Sequence, residues 1–189
     1  MDLAWLSRVL EKKSKSTVGR EFCNHPYRDT HRAVAMNLHC LHIIHGLPES
    51  VPHYINGEPD CQYPNYRTLV DRDWKSIGEI QIAQADVPRL SAIPKLCEVI
   101  RFQPVDGGVQ IVGSDEQSAA DDAWGRERRL TMWLAGSLSE TTPWMKAERI
   151  TNSLAAEKNW MCWDISKSHP LIRFDFKEKT AIIVTMDHR

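Results

Sequence analysis

Four histidines and one cysteine lie close together near the start of the chain. The stretch reads HRAVAMNLHCLHIIHG and contains His31, His39, His42, His45 and Cys40. Imidazole nitrogens and thiolates are common protein ligands of Zn²⁺, so side chains of these types can hold a metal ion when they converge. Whether they converge here depends on the element that carries them.

The spacing of apolar residues predicts that this stretch is a helix. Asp29 or Thr30 would cap its N-terminus, and Gly46 would end it. At about 100° per residue, the four histidines fall within an arc of roughly 120°. Cys40 lies on the opposite face among apolar residues, so it is expected to be a small core residue.

A metal site is one hypothesis for this helix. His39, His42 and His45 step by three residues, and the following loop supplies His53 and Cys61 as further ligands. Neither the HExxH pattern of metalloproteases nor a CxxC pair is present. This hypothesis describes a metal-dependent hydrolase or nuclease with zinc or manganese as its cofactor. The alternatives, an ordinary polar helix face or a surface that gains charge at low pH, need no cofactor.

Aromatic and basic side chains form a second candidate site. Seven of the 189 residues are tryptophan, a residue type enriched in the hot spots of protein interfaces. The long stretch from Gly46 to Tyr66, rich in Pro, Asn and Gly, is typical of a recognition loop. The candidate partner-binding residues are Trp124, Arg126, Arg128, Arg129, Trp133, His53, Tyr54, Tyr63 and Tyr66.

Two β-hairpins are predicted among the elements that would position these residues. Residues 98–113 read EVIRFQPVDGGVQIVG, in which apolar and polar residues alternate around an Asp106-Gly107 turn. Residues 171–176 (LIRFDF) and 180–186 (TAIIVTM) form the second hairpin.

Helices are predicted elsewhere in the chain. Residues 2–14 have leucines at helical spacing, and a capping box at Ser114 starts a helix that runs toward Gly136. Two further helices would begin near Asp86 and after Pro143.

The predicted fold class is α+β in a single domain that spans residues 1–189. An antiparallel sheet of about four to five strands, built from the two hairpins, would pack with several helices. The N-terminal part, about residues 1–95, would be helical, and about residues 96–189 would form a hairpin, two helices and a hairpin. The sequence has no visible internal repeat.

Composition favours an ordinary globular protein. The chain is 42% hydrophobic and 26% charged, with a formal net charge of −1. Its five cysteines are odd in number, which argues against a disulfide framework. No apolar run approaches the roughly 20 residues of a membrane span, and the N-terminus lacks a secretory signal. We therefore expect a cytoplasmic protein of a bacterial or host cell.

These observations favour a protein that is not an enzyme. The leading hypothesis is a protein–protein interaction or assembly protein, such as an inhibitor, an adaptor or a viral or phage structural component. Its partner would be another protein or copies of itself, bound through the aromatic, Arg- and His-rich surface. A third hypothesis is contact with nucleic acid or a membrane surface through residues 1–20, which combine apolar and basic residues.

Overall fold

The structure is a computed structural model that describes residues 3–11, 20–47, 62–115, 130–164 and 171–185. These residues form an antiparallel sheet of eleven strands. The strands are β1 (Tyr27–Asp29), β2 (Arg32–Met36), β3 (Cys40–Ile44), β4 (Lys75–Gln81), β5 (Val99–Val105), β6 (Gly108–Ser114), β7 (Leu130–Leu138), β8 (Met145–Lys146), β9 (Lys158–Asp164), β10 (Leu171–Phe176) and β11 (Lys179–Val184).

The helices among the described residues are short. They are α1 (Leu3–Leu6), α2 (Arg67–Val70), α3 (Val87–Ala92) and α4 (Ala147–Ser153), with 3₁₀ turns at Ser7–Val9, Glu21–Asn24, Gln84–Asp86 and Ile93–Lys95. None of these helices is long and apolar enough to cross a membrane.

The topology repeats one unit three times. A helix precedes a three-stranded antiparallel meander in each unit: α1 with β1 to β3, α3 with β5 to β7, and α4 with β9 to β11. The strands lie in the order β1-β2-β3-β11-β10-β9-β4-β7-β6-β5-β8. The first unit therefore pairs with the third through β3 and β11, and β4 joins the third unit to the second.

The main core lies between the sheet and a helical layer made of α1, α3, α4 and their 3₁₀ turns. Helix α4 contacts β11, α3 and the turns at Ser7–Val9 and Ile93–Lys95. The Trp5 side chain is 1% exposed, and its indole nitrogen donates to the backbone carbonyl of Ser153 at 3.1 Å.

A second apolar cluster lies on the opposite face of the sheet. Its buried members are Val34, Met36, Leu41, Ile43, Tyr66, Leu171 and Ile182. Helix α2 and its flanking residues pack on this cluster, so both faces of β2 and β3 are covered.

The predicted α+β sheet of four to five strands is wrong, because the described residues form eleven strands. The helix predicted over residues 31–46 is also wrong, since β2 and β3 form a hairpin there. A strand buried on both faces is apolar at every position, so its sequence cannot be distinguished from a helix by periodicity. The reversal occurs at Asn37, whose Oδ1 accepts from the backbone N–H groups of His39 and Cys40 at 2.8 Å.

The helix predicted from Ser114 toward Gly136 is contradicted where it can be compared. Ser114 ends β6, and residues 130–138 form β7 between β6 and β4. Buried Met132 and Leu134 alternate with exposed neighbours along β7, which is the period of a strand. Residues 116–129 of this prediction lie outside the described residues.

The two predicted hairpins are confirmed. Strands β5 and β6 pair through an Asp106-Gly107 turn, in which Gly107 has φ +80°. Strands β10 and β11 pair through a turn at Lys177, with φ +43°. The helices predicted near Asp86 and after Pro143 are found as α3 and α4.

Two glycines permit the close approach of β4 and β7. A Cβ atom on Gly136 would lie 2.2 Å from the Glu79 carbonyl oxygen, and one on Gly78 would lie 2.0 Å from the Ser137 carbonyl oxygen. Both glycines have positive φ, +143° and +135°. Only glycine fits these positions, because any side chain would collide with the facing backbone.

Candidate functional site

An open apolar groove of about 540 Å³ lies on the face of the sheet opposite the helical layer. Strands β3, β10 and β11 contribute its floor. Its walls come from the turn after β2, from Phe22 and from residues 62–74, which we call the wall segment. The groove is lined by Phe22, Met36, Asn37, Leu38, His39, Cys40, Leu41, Pro64, Leu69, Arg72, Leu171, Ile182 and Val184.

The groove exists because the wall segment covers only part of the second apolar cluster. Tyr66 and Leu69 pack on β2, β3 and β11, whereas Leu38 at the rim stays 52% exposed. A large apolar side chain exposed beside an apolar concavity costs hydration free energy until a partner covers it. The arrangement is therefore chemically suited to bind the apolar side chains of a peptide.

The beginning of the wall segment is anchored to β1. The Asp29 carboxylate accepts from the Tyr66 hydroxyl at 2.5 Å and from two nitrogens of Arg67 at 2.8 and 3.1 Å. Burial opposes ionisation of Asp29, but the hydrogen bonds from Tyr66 and Arg67 outweigh it and lower the pKa of Asp29. Burial, and then the hydrogen bond to Asp29, raises the pKa of Tyr66 to about 12.

The end of the wall segment is anchored to the third unit. An Arg72 nitrogen lies 2.7 Å from the Asp164 carboxylate, whose side chain is fully buried. The Val70 carbonyl accepts from the Trp74 indole at 3.1 Å and from Arg173 at 3.3 Å. Both ends of this wall are therefore held by side chains of the sheet.

His42, the central histidine of the metal hypothesis, lies within the main core. One ring nitrogen donates to the Trp5 carbonyl at 3.2 Å, and the other lies 2.8 Å from the Ser153 hydroxyl. The ring stacks on Trp5 with centroids 4.2 Å apart. Burial lowers the pKa of His42 to about 3, so the imidazole is neutral at physiological pH.

The other two histidines do not join His42. His45 Nε2 lies 3.1 Å from the Thr180 hydroxyl, and His39 is exposed at the rim of the groove. Within the described part of the chain, no three His, Cys, Asp or Glu side chains are placed to hold a metal ion. His53 and Cys61 lie outside the described residues, so the zinc or manganese site stays a prediction.

The predicted partner-binding residues fall into three groups. Tyr63 and Tyr66 belong to the wall segment, where Tyr63 stacks on Tyr27 with centroids 4.9 Å apart. Trp133 is 55% exposed on β7, away from the groove. The others lie outside the described residues: His53, Tyr54, Trp124, Arg126, Arg128 and Arg129.

Sequence reasoning missed most residues of the groove. Leu171 and Val184 are direct partners in the β10–β11 hairpin, but Phe22 and the β3 residues meet them only through the pairing of β3 with β11, which no local pattern reveals. Leu38 did carry a signal, because it is an isolated leucine between Asn37 and His39 in a polar turn. A bulky apolar residue at a turn is often exposed for binding.

Basic residues mark the helical layer on the other face. Arg8, Arg89 and Lys95 are exposed, and Arg149 is half-exposed. A cavity of about 330 Å³ between the first and third units is lined in part by Arg8 and Arg149, together with Glu11 and Glu148. The arginine side chains can contact phosphate groups.

The comparisons with solved structures identify the fold as that of sliding clamps. The Pseudomonas aeruginosa DNA polymerase sliding clamp is similar with a TM-score of 0.63 and 13% identity, over 97% of this chain and 62% of the clamp. The Borrelia burgdorferi DNA polymerase III subunit beta is similar with a TM-score of 0.63 and 11% identity, over 98% of this chain and 61% of the subunit.

The Helicobacter pylori beta clamp, described as bound to a DNA ligase peptide, is similar with a TM-score of 0.57 and 11% identity, over 97% of this chain and 62% of the clamp. The chain thus spans about three fifths of the length of these clamps. Neither a family model nor a curated protein matches the sequence.

Proposed function

We propose that this protein is a non-enzymatic interaction scaffold of the sliding-clamp type, which binds a short peptide segment of a partner protein in the apolar groove. The observation that supports this proposal most directly is the groove itself, with half-exposed Leu38 at its rim. An extended peptide with two or three large apolar side chains would cover this surface. Such binding needs no cofactor.

The clamp fold suggests the class of partner. One clamp of this fold, from Helicobacter pylori, is described with a DNA ligase peptide bound. By analogy, the partner would be a protein of DNA replication or repair, and the cytoplasm is the location that we predict for both. The narrower roles of inhibitor, adaptor or viral component, and assembly with copies of itself, remain predictions.

A pair of substitutions tests the proposal. Leu38→Asp introduces a charge at the rim of the groove, and Leu96→Asp changes a leucine of matched exposure, 51%, on the helical layer. The probes are the DNA ligase peptide of the Helicobacter pylori clamp and a displayed library of random peptides. We expect wild type and Leu96→Asp to bind peptides, and Leu38→Asp to bind at least tenfold more weakly, as expected for loss of a hot-spot contact.

Two outcomes would count against the groove. Wild type that binds neither the ligase peptide nor any library peptide contradicts the function. Equal losses in the two leucine variants would place peptide binding elsewhere on the molecule. Circular dichroism of both variants establishes that each is folded.

Contact with DNA is a second candidate function, favoured by the basic residues of the helical layer. Replacing Arg8 and Arg149 by alanine should weaken binding of duplex DNA. It should also reduce the steepness of the plot of log binding constant against log salt concentration by about one for each lost phosphate contact. The control is Lys158→Ala, which removes an exposed cation from the opposite face. Fluorescence anisotropy of labelled DNA at several salt concentrations measures the affinity and its salt dependence. If wild type does not bind DNA at low salt, this second function is contradicted.

Membrane contact through residues 1–20 stays a prediction.

The metal-dependent hydrolase also stays a prediction, although its predicted helix is a hairpin. Elemental mass spectrometry of protein purified without chelator tests it directly. Stoichiometric zinc or manganese per folded chain would support that alternative.

A further inference from the structure

The wall segment is a short connection that has to keep one fixed position for the groove to exist. Its helix α2 has only four residues, a length that is not stable in isolation. The backbone N–H groups of Leu69 and Val70 donate to the Tyr66 carbonyl, and that of Asp71 donates to Arg67. Its position must therefore be set by contacts with the sheet.

Two carboxylates supply charged contacts of this kind, one from each unit that the groove spans. Asp29 belongs to β1 of the first unit and receives hydrogen bonds from Tyr66 and Arg67. Asp164 belongs to β9 of the third unit and pairs with Arg72. Leu69, which lines the groove, lies between the two anchored positions.

The two anchors differ in environment. The Asp29 side chain is 14% exposed and its partner Arg67 is 59% exposed, whereas Asp164 is fully buried against Arg72 at 22% exposure. Removing a partner from a buried ion pair leaves an uncompensated charge and disturbs the fold. Asp29 is the anchor that can be changed while the fold is retained.

We infer that Asp29 and Asp164 are positioning residues that fix the wall segment and thereby the width of the apolar groove. The inference rests on the proposed function, because it assigns a role in peptide binding to residues that need not touch the peptide. A wall that is already ordered does not lose its conformational freedom when the peptide binds, so affinity is higher. The carboxylates act through Arg67, Tyr66 and Arg72.

The experiment compares Asp29→Asn with Glu79→Gln. The first removes the charge of the anchor and retains the size of the side chain. The second neutralises a comparable partly buried carboxylate, which pairs with Lys158 at 2.7 Å on a different part of the sheet. The probe is the best-enriched peptide of the library selected on the wild-type protein.

We expect Asp29→Asn to weaken binding of this peptide by about three- to tenfold, the range given by one or two side chains that become ordered only on binding. Hydrogen exchange at Leu69, Val70 and Asp71 should become faster in the free variant, and bound peptide should restore protection. Exchange in β10 and β11 should stay as in wild type, which separates a positioning role from a general loss of stability. Glu79→Gln should change neither readout.

A double-mutant cycle adds an independent readout. If Asp29 acts through Arg67, the variant with both Asp29→Asn and Arg67→Gln should bind the peptide about as well as the weaker single variant. If the losses of affinity in the two single variants multiply in the double variant, Asp29 does not act through Arg67.

The outcomes separate this inference from the proposed function. If wild type binds no peptide, the proposed function fails and the inference fails with it. If wild type binds but Asp29→Asn binds equally well with unchanged exchange at residues 69–71, the inference alone is overturned. Weaker binding together with faster exchange only in the wall segment supports both.

Discussion

At the scale of single residues, His42 shows how a group predicted to bind metal can serve the core instead. Its ring is enclosed by Trp5 of α1 and Ser153 of α4, so it connects the first unit to the third. The nearby cations Arg8 and Lys179 add to burial in disfavouring its protonated form. The physical consequence is a dependence of stability on pH.

The native pKa of His42, about 3, is lower than the value of 6.5 expected when the chain is unfolded. Below pH 6.5 the unfolded chain therefore binds a proton that the folded chain does not, and stability falls as pH decreases toward 3. The expected loss is about 1.4 kcal/mol per pH unit in this window. Urea unfolding of wild type and His42→Gln at pH 7.5 and 5.5 measures it.

The comparison of slopes, rather than of absolute stabilities, isolates His42 from the other titrating groups. Only the interval from pH 6.5 to 5.5 contributes to this difference. Between the two pH values, the free energy of unfolding of the variant should therefore fall by about 1.4 kcal/mol less than that of wild type. Equal pH dependence in both proteins would show that His42 is not the group responsible.

At the scale of elements, local chemistry predicted some strands and misassigned others. The β5–β6 and β10–β11 hairpins were predictable because apolar and polar residues alternate along β5 and β10, and because the Asp106-Gly107 pair is typical of a hairpin turn. In contrast, β2 and β3 are covered on both faces, so Ala33 to Met36 and Cys40 to Ile44 carry no alternation. Their turn, at Asn37, was hidden inside an apparent helical pattern.

The candidate site was predictable to a smaller extent than the elements. Tyr63 and Tyr66 were predicted to bind a partner because aromatic residues in a Pro- and Asn-rich stretch are typical of binding loops. The structure has them in the wall segment, beside the residues that line the groove, and their role in binding stays a prediction. The floor of the groove comes from strands more than 130 residues apart in the chain, β3 and β11. Only tertiary pairing brings them together, and a single sequence does not report it.

The Asn37 turn provides a test at this scale. Its side chain accepts from His39 and Cys40 and donates to the Val9 carbonyl at 2.9 Å, which ties the hairpin to the helical layer. Asn37→Ala removes all three hydrogen bonds and should lower the free energy of unfolding by about 1–3 kcal/mol. Urea denaturation measures this loss. The exposed Asn65, changed to alanine as a control, should cost less than about 0.5 kcal/mol.

At the scale of the whole molecule, three short units share one sheet, and the units are joined by strand pairing. The sequence predicted no repeat, because the three units share topology without recognisable sequence similarity. The helices of the layer were predicted one by one, at residues 2–14, near Asp86 and after Pro143, but each is too short for its pattern to show that they pack together as one layer.

The junction between the second and third units depends on Gly136 and Gly78. Gly136→Ala would place a methyl group against the Glu79 carbonyl and would be strained at φ +143°. We expect the substitution to lower the free energy of unfolding by about 2–4 kcal/mol. Gly107→Asn, in a turn with φ +80° and open space around it, should cost about 1 kcal/mol or less. Similar losses in the two variants would contradict the close-approach argument.

The pairing of β3 with β11 has a consequence for synthesis on the ribosome. When β1 to β3 have emerged, the edge of strand β3 (Cys40–Ile44) stays unpaired until β11 (Lys179–Val184) has been translated, more than 130 residues later. An open apolar strand edge can pair with the wrong strand, so this interval is the time of greatest aggregation risk. Ribosome-bound chains that stop after β9 should be cleaved by protease within the first meander, and chains that include β11 should resist.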